Sequence, residues 1–378
     1  MKKILFISHQ NSLSGAPLVL LYFMQWLKRN HEDYQIDLLV LNEGKLSVDF
    51  KSLVKKYYSI NDLNSKLIFQ NQLPLFMKVR VDKHLNKMLL KKIKKEDYDI
   101  IYANTVGALG IASKLKENSN SELVLHIHEL STVIKQILPN FKKLKDNVDK
   151  FIAVSDLVKN ELSEKWDVET QKIKRVYEFS KIVNAIPIKK NNSEEFIVCG
   201  CGYVDWRKGT DLFLQVARLI HSKKHNRTIK FIWIGKLSLA DRLVIEADIK
   251  KMGLEDFVDF IGEVPNPHDY LKKCDVFLMP SREDPFPLVC IEVAMLNKPI
   301  ICFDKATGIA EIIKNGGGFV VPYLEVEKMA NKVEYYLNNP EMKYQDGLIN
   351  QQNFSNFTPD KMCPEIFDFL ETYESQLV

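Results

Sequence analysis

The feature that most limits what this chain can fold into is a repeated alternation. Apolar runs of four to seven residues are separated by longer stretches in which apolar side chains recur at helical spacing. That pattern fits parallel sheets whose strands are covered on both faces by crossover helices. In the first half the runs predict strands over 4–8, 35–40, 100–103, 123–127 and 151–154, with helices over 17–29 and 81–95. Residues 180–195, SKIVNAIPIKKNNSEE, are polar, lack a helical stripe and read as an interdomain linker. A second series follows, with strands over 196–199, 229–235, 258–261, 276–279, 299–302 and 318–321. The expected fold is α/β, with two Rossmann-like doubly wound domains facing each other across a cleft. Their bounds are 1–185 and 186–358. A final helix in 359–378 carries Ile366, Leu370 and Tyr373 on one stripe and is expected to pack across both domains.

A length of 378 residues suits two domains, each large enough to bury a core. With 46% hydrophobic and 27% charged residues, neither disorder nor a membrane-embedded chain is expected. The apolar run after Lys3 is too short for a secretion signal, and no uninterrupted apolar stretch reaches the length of a membrane span. The six cysteines lack paired zinc spacing and fall mostly in apolar runs, as reduced core thiols do, so a cytoplasmic location is expected. Charge is divided unevenly: residues 1–190 carry a net +11 and the remainder −7. One half is therefore expected to meet something anionic.

In open parallel sheets ligands sit beyond the carboxyl ends of the strands. After the strand FIVCG runs Gly202-Tyr203-Val204-Asp205-Trp206-Arg207-Lys208-Gly209-Thr210, leading into an amphipathic helix. A glycine-framed loop with two adjacent cations at a helix N-terminus is a reasonable cradle for a diphosphate. After the strand DVFLMP runs PSREDPFPLVCIE, with Asp284 in a proline-bounded loop and Glu292 inside the next helix. The two acids can share one side of a cleft without touching, and carboxylates accept hydrogen bonds from sugar and ribose hydroxyls. Each loop also has a plain structural reading: a solvated basic loop with Thr210 as a cap, and acids that merely charge a helix start.

Together the loops resemble the C-terminal domain of retaining glycosyltransferases of family 4, which have the GT-B fold. The likeness continues through Gly308 and Glu311 in a glycine-x-x-Glu turn and through NGGGFVVP at 315–322. It implies that Lys208 binds the diphosphate of a nucleoside diphosphate sugar, that Glu292 binds the ribose hydroxyls, and that Asp284 lies near the donor sugar. It also implies that the backbone amides of Phe286, Pro287 and Leu288 face that sugar or its phosphate. Asp284 is shorter than the family's usual glutamate. Tyr203 stands where an arginine is usual, with Arg207 the nearest substitute. In the first half, Gly15-Ala16 after the first strand matches the family's phosphate- and acceptor-facing loop, and His128 matches a cleft histidine contacting donor sugar or acceptor. Asn104 and Thr105 are expected as supporting contacts.

The function implied is retaining transfer of a sugar to a hydroxyl of a glycan or lipid-linked acceptor, in the synthesis of a surface polysaccharide or lipopolysaccharide. The donor is a co-substrate, and neither cofactor nor metal is implied; His126 and His128 alone do not make a zinc site. The alternatives are a non-catalytic nucleotide- or glycan-binding relative and a nucleotide-sugar epimerase on the same fold. A basic amphipathic stretch at 74–95 fits either a solvated helix face or an anionic leaflet, and peripheral membrane association follows from the second. No nucleic-acid-binding module is recognisable.

Overall fold

A computed structural model describes residues 1–60, 75–181 and 195–372. Most of the expected linker, and Tyr373 and Pro74, lie outside the described residues. The chain divides into two compact units, Met1–Ser180 with Pro359–Val378, and Lys181–Thr358.

The first unit holds a seven-stranded sheet: β1 (Lys2–Ser8), β2 (Tyr34–Val40), β3 (Lys56–Ser59), β4 (Ile100–Asn104), β5 (Glu122–Ile127), β6 (Lys150–Ala153) and β7 (Ile173–Arg175). Its order is β3-β2-β1-β4-β5-β6-β7, and the pairings are parallel throughout. Ile4 to Ile7 are fully buried, as a central strand flanked by helices requires. Two strands, β3 and β7, have no counterpart in the sequence-based expectation. Both are short edge strands, KYYS and IKR, and an edge strand needs no continuous apolar run.

The second unit holds β8 (Glu195–Cys201), β9 (Thr228–Ile234), β10 (Val258–Gly262), β11 (Val276–Met279), β12 (Ile300–Phe303) and β13 (Gly318–Val321), in the order β10-β9-β8-β11-β12-β13 and again parallel. Phe213, Phe231 and Trp233 centre its core, packed edge to face with ring centroids 5.1–5.3 Å apart.

The last helix, Pro359–Glu371, groups with the first unit. Phe367 stacks on His31 at 3.7 Å, and Lys2 and Tyr34 bind Glu371. The buried Lys150 reaches Glu122 and also Leu370 O at 3.2 Å and Thr372 O at 2.5 Å. A cation against the last carbonyls of a helix supplies their missing partners and complements its dipole.

In both sheets the strand order reverses once, between β1 and β4 and between β8 and β11. The connections on either side of such a point diverge to opposite faces and leave a crevice at the carboxyl ends. The loops singled out in the sequence follow these strands.

Candidate active site

In the second unit two glycines let the β8 loop lie against its neighbours. Gly209, at φ +69°, has no space for a side chain, because a Cβ would fall 2.0 Å from Pro280 O. A Cβ on Gly202 would meet the Lys208 side chain at 2.9 Å, so the glycine leaves room for that lysine. Further links fix the two loops: Arg282 N donates to Arg207 O at 2.8 Å, and Lys208 N to Asp205 Oδ1 at 2.8 Å. Outside, Arg282 forms a two-pronged pair with Asp211 at 2.7–2.8 Å and lies over the Trp206 ring.

Inside, two cations meet one carboxylate. Lys208 Nζ is 2.6 Å from Asp284 Oδ2, and Arg207 Nη1 is 3.2 Å from Asp284 Oδ1 and 3.0 Å from Glu283 O. Asp284 is only 5% exposed. Burial pushes its carboxyl upward, but Lys208 and Arg207 more than offset this and hold it below the usual range. Asp284 N donates to Ala306 O at 2.8 Å, and Gly308 N to Pro285 O at 2.9 Å, so the glycine-x-x-Glu turn is bonded directly to the Asp284 loop. Gly308 caps the helix Ile309–Ile313, whose first turn carries a half-buried Glu311.

The helix Leu288–Met295 begins after Pro287; Cys290 N donates to Pro287 O at 3.0 Å, and the amides of Leu288 and Val289 have no partner within the helix. The Phe286 side chain is turned inward, 2% exposed and edge-on to Phe357. Glu292 does not join Asp284. It faces His268 Nε2 at 3.6 Å, and burial raises its carboxyl to about 7. Nothing in the sequence pointed to His268, which lies in the β10–β11 connection.

In the first unit the residues beyond β1, β4 and β5 form a separate polar network. His128 Nδ1 is 2.8 Å from Glu178 Oε1 and its Nε2 3.1 Å from Asn104 Oδ1. Asn104 Nδ2 donates to Ala16 O at 3.0 Å, which orients the amide and ties Ala16 to His128. Ala16 and Gly15 open the helix Gly15–Asn30. Glu178 is the member that sequence reasoning missed; a lone acid past an unpredicted edge strand gave no signal. His9 Nδ1 contacts Thr105 Oγ1 at 3.0 Å, and burial together with the nearby His128 lowers its pKa to about 4. His126 is 2% exposed and bonded to the Tyr102 hydroxyl at 2.7 Å, the arrangement of a core histidine. Among the described residues no cluster of three His, Cys, Asp or Glu side chains could hold a metal ion.

Two family profiles match the chain: Glycosyltransferase Family 4 over residues 14–179, and Glycosyl transferases group 1 over 183–355. The paired parallel sheets have the GT-B architecture. The crystal structure of Anabaena HepE in complex with UDP-glucose aligns with a TM-score of 0.76 at 19% identity, over 99% of this chain and 100% of that one. With both halves matched, the chain belongs to the group 1 glycosyltransferases of family 4. Among curated relatives, the amylovoran biosynthesis glycosyltransferase AmsD of Erwinia amylovora is 28% identical over 167 residues, 42% of this chain and 47% of that protein. The lipopolysaccharide core biosynthesis mannosyltransferase LpcC of Rhizobium leguminosarum bv. viciae is 29% identical over 155 residues, 39% and 43%. The chain spans about half the length of these curated relatives.

Proposed function

We propose that this chain is a retaining glycosyltransferase that moves a sugar from a nucleoside diphosphate sugar to a hydroxyl of a glycan or lipid-linked acceptor in surface-polysaccharide or lipopolysaccharide assembly. The observation that carries this reading is the convergence of Lys208 and Arg207 on Asp284 at the switch point of the second sheet. The pathways named for AmsD and LpcC, and the UDP-glucose bound by HepE, agree with it.

Lys208 and Arg207 bind the donor diphosphate, exchanging part of their pairing with Asp284 for phosphate oxygens. Arg207 thus replaces the arginine lost at Tyr203. Together with the amides that open the helix Leu288–Met295, the two cations offset the charge that develops as the bond from the anomeric carbon to phosphate breaks. The acceptor oxygen attacks from the same face, and its proton passes to the departing phosphate, so no protein nucleophile is needed. Glu292 accepts from the ribose. The first unit takes the acceptor, with His128, Gly15 and Ala16 as its contacts. In the helix Leu75–Lys94, Lys87, Lys91, Lys92 and Lys94 are exposed while Leu89 and Ile93 are buried, a cationic face suited to an anionic leaflet. No helix among the described residues is long and apolar enough to cross a membrane.

The test is a thermal-shift screen against UDP, GDP, ADP and their sugar conjugates, because a ligand that binds only the folded state raises the melting temperature. One base is expected to stabilise the protein. Lys208→Ala is expected to weaken that nucleotide by about 10- to 100-fold, the value of one charge-assisted hydrogen bond. No shift with any nucleotide at millimolar concentration would overturn the assignment.

A further inference from the structure

Trp206, in the loop after β8, is 53% exposed, whereas the other three tryptophans, Trp26, Trp166 and Trp233, are at most 8% exposed. The exposed indole is built in. The Arg282 guanidinium lies 5.6 Å from its ring centroid, and that guanidinium is itself pinned: Nη1 donates to Trp206 O at 2.9 Å and to Asp211 Oδ1 at 2.8 Å, and Nη2 to Asp211 Oδ2 at 2.7 Å. A second ring, Tyr323 after β13, is 44% exposed and set edge to face against Phe303 at 6.2 Å. Its hydroxyl is close enough to join Asp211, the main cause, in raising the pKa of Arg282 against burial. In the sheet order β8-β11-β12-β13, Arg282, which follows β11, comes between the two rings, and all three residues lie on the carboxyl-end side where open sheets take ligands.

We propose that Trp206, Arg282 and Asp211, with Tyr323 as a second ring, form a glycan-binding subsite on the rim of the second unit, outside the Lys208–Asp284 cluster. A pyranose has a face of C–H bonds and an edge of hydroxyls. The C–H face lies on the negative face of an indole, and burying it there removes apolar surface from water. The hydroxyls exchange hydrogen bonds with a carboxylate and a guanidinium whose directions are already fixed, so little ordering is needed on binding. The Asp211 side chain is 54% exposed and keeps lone pairs to accept from them. An acyl chain would instead strip water from both charged groups and return no hydrogen bond. The subsite rests on the reading that the acceptor is a glycan, and gives that acceptor a contact in the second unit.

The experiment is acrylamide quenching of tryptophan fluorescence in the full-length protein, which reports on Trp206 because the other three indoles are buried. The probes are oligosaccharides of glucose, galactose, mannose and N-acetylglucosamine, delipidated lipopolysaccharide core, and UDP, GDP and ADP. At least one glycan is expected to protect Trp206, and the nucleotides are expected not to. By calorimetry, Trp206→Ala should weaken that glycan about 10-fold, the value of one stacked ring, and Trp206→Phe should recover part of the loss. Both variants should keep the melting-temperature shift that nucleotide gives the unaltered protein. Failure of every glycan to protect Trp206, protection by nucleotide instead, or unchanged glycan affinity in Trp206→Ala would overturn the subsite and leave the transferase reading standing. An unaltered protein that binds glycan through Trp206 but no nucleotide would overturn the donor assignment and keep the subsite.

Discussion

Beyond β8 and β11, two cations crowd one buried carboxylate; beyond β1, β4 and β5, two histidines are bonded to neutral or acidic neighbours. In the first case the attraction is coulombic, two cations sharing one carboxylate, and the proposed diphosphate would compete with Asp284 for them. In the second it is directional: Ala16 O fixes Asn104, Asn104 and Glu178 fix both nitrogens of His128, and Thr105 meets His9. The same topological position thus serves two purposes. A charge cluster suits a ligand that arrives with charge, and a hydrogen-bonded frame suits one that must be oriented without it.

The contrast breaks most visibly at Asp284. Removing one partner of a buried ion pair strands the other, at a cost of about 3–5 kcal/mol. Asp284→Ala is therefore expected to lower the denaturation midpoint by that equivalent, yet to bind nucleoside diphosphate at least as well as the unaltered protein, since both cations are released. A variant that keeps its stability, or that loses nucleotide together with it, would mean that the cluster is a fixed frame like the one in the first unit.

The next effect sharpens the comparison inside the second unit. Asp284 is held low while Glu292, on the following helix, is raised by burial from 4.5 to about 7. Between those two values the folded chain keeps a proton that the unfolded chain has released, so this group makes stability fall as pH rises. Glu292→Gln removes the dependence. The variant's advantage over the unaltered protein is expected to be absent below pH 4.5, to grow up to pH 7 and to stay constant above, reaching at most about 3 kcal/mol. Urea melts at pH 5, 6, 7 and 8 measure it, and a constant difference between the two proteins would contradict burial as the cause.

Much of this was legible in the sequence, for a physical reason that also marks its limit. Strands buried on both faces must be apolar throughout, so VFLM at 276–279 could be placed to the residue. The edge strands KYYS and IKR, wetter on one side, could not. Lys208 and Asp284 stood out because each lies in a loop punctuated by glycine or proline after a clear strand. Arg207 was visible but its direction was not, since that depends on the Pro280–Gly209 approach across the sheet. Glu178 and His268 meet their partners across 50 and 24 positions of sequence, and no local pattern encodes such a meeting. The C-terminal helix shows the same limit: its stripe was evident, but the carbonyls held by Lys150 were not.

The smallest expected effect lies at Thr105, the junction between β4 and the helix Val106–Lys116. Its φ of +85° and ψ of 157° fall in a region that only glycine occupies readily, and a β-branched residue there is strained by about 1–3 kcal/mol. The strain is held by two bonds, Thr105 N to His126 O at 2.9 Å and Thr105 Oγ1 to His9 Nδ1 at 3.0 Å. Thr105→Gly relieves the strain and keeps the backbone bond. It loses the side-chain bond, worth about 1 kcal/mol, and gives the unfolded chain extra freedom worth about 0.5–1 kcal/mol. These terms nearly cancel, so the denaturation midpoint should move by the equivalent of no more than about 1 kcal/mol in either direction. Thr105→Ala makes the test discriminating, because it loses the hydroxyl and keeps the strain, and should fall below the glycine variant. If alanine is instead the more stable of the two, the backbone at 105 is not strained, and the frame around His9 and His128 is held by its side-chain bonds alone.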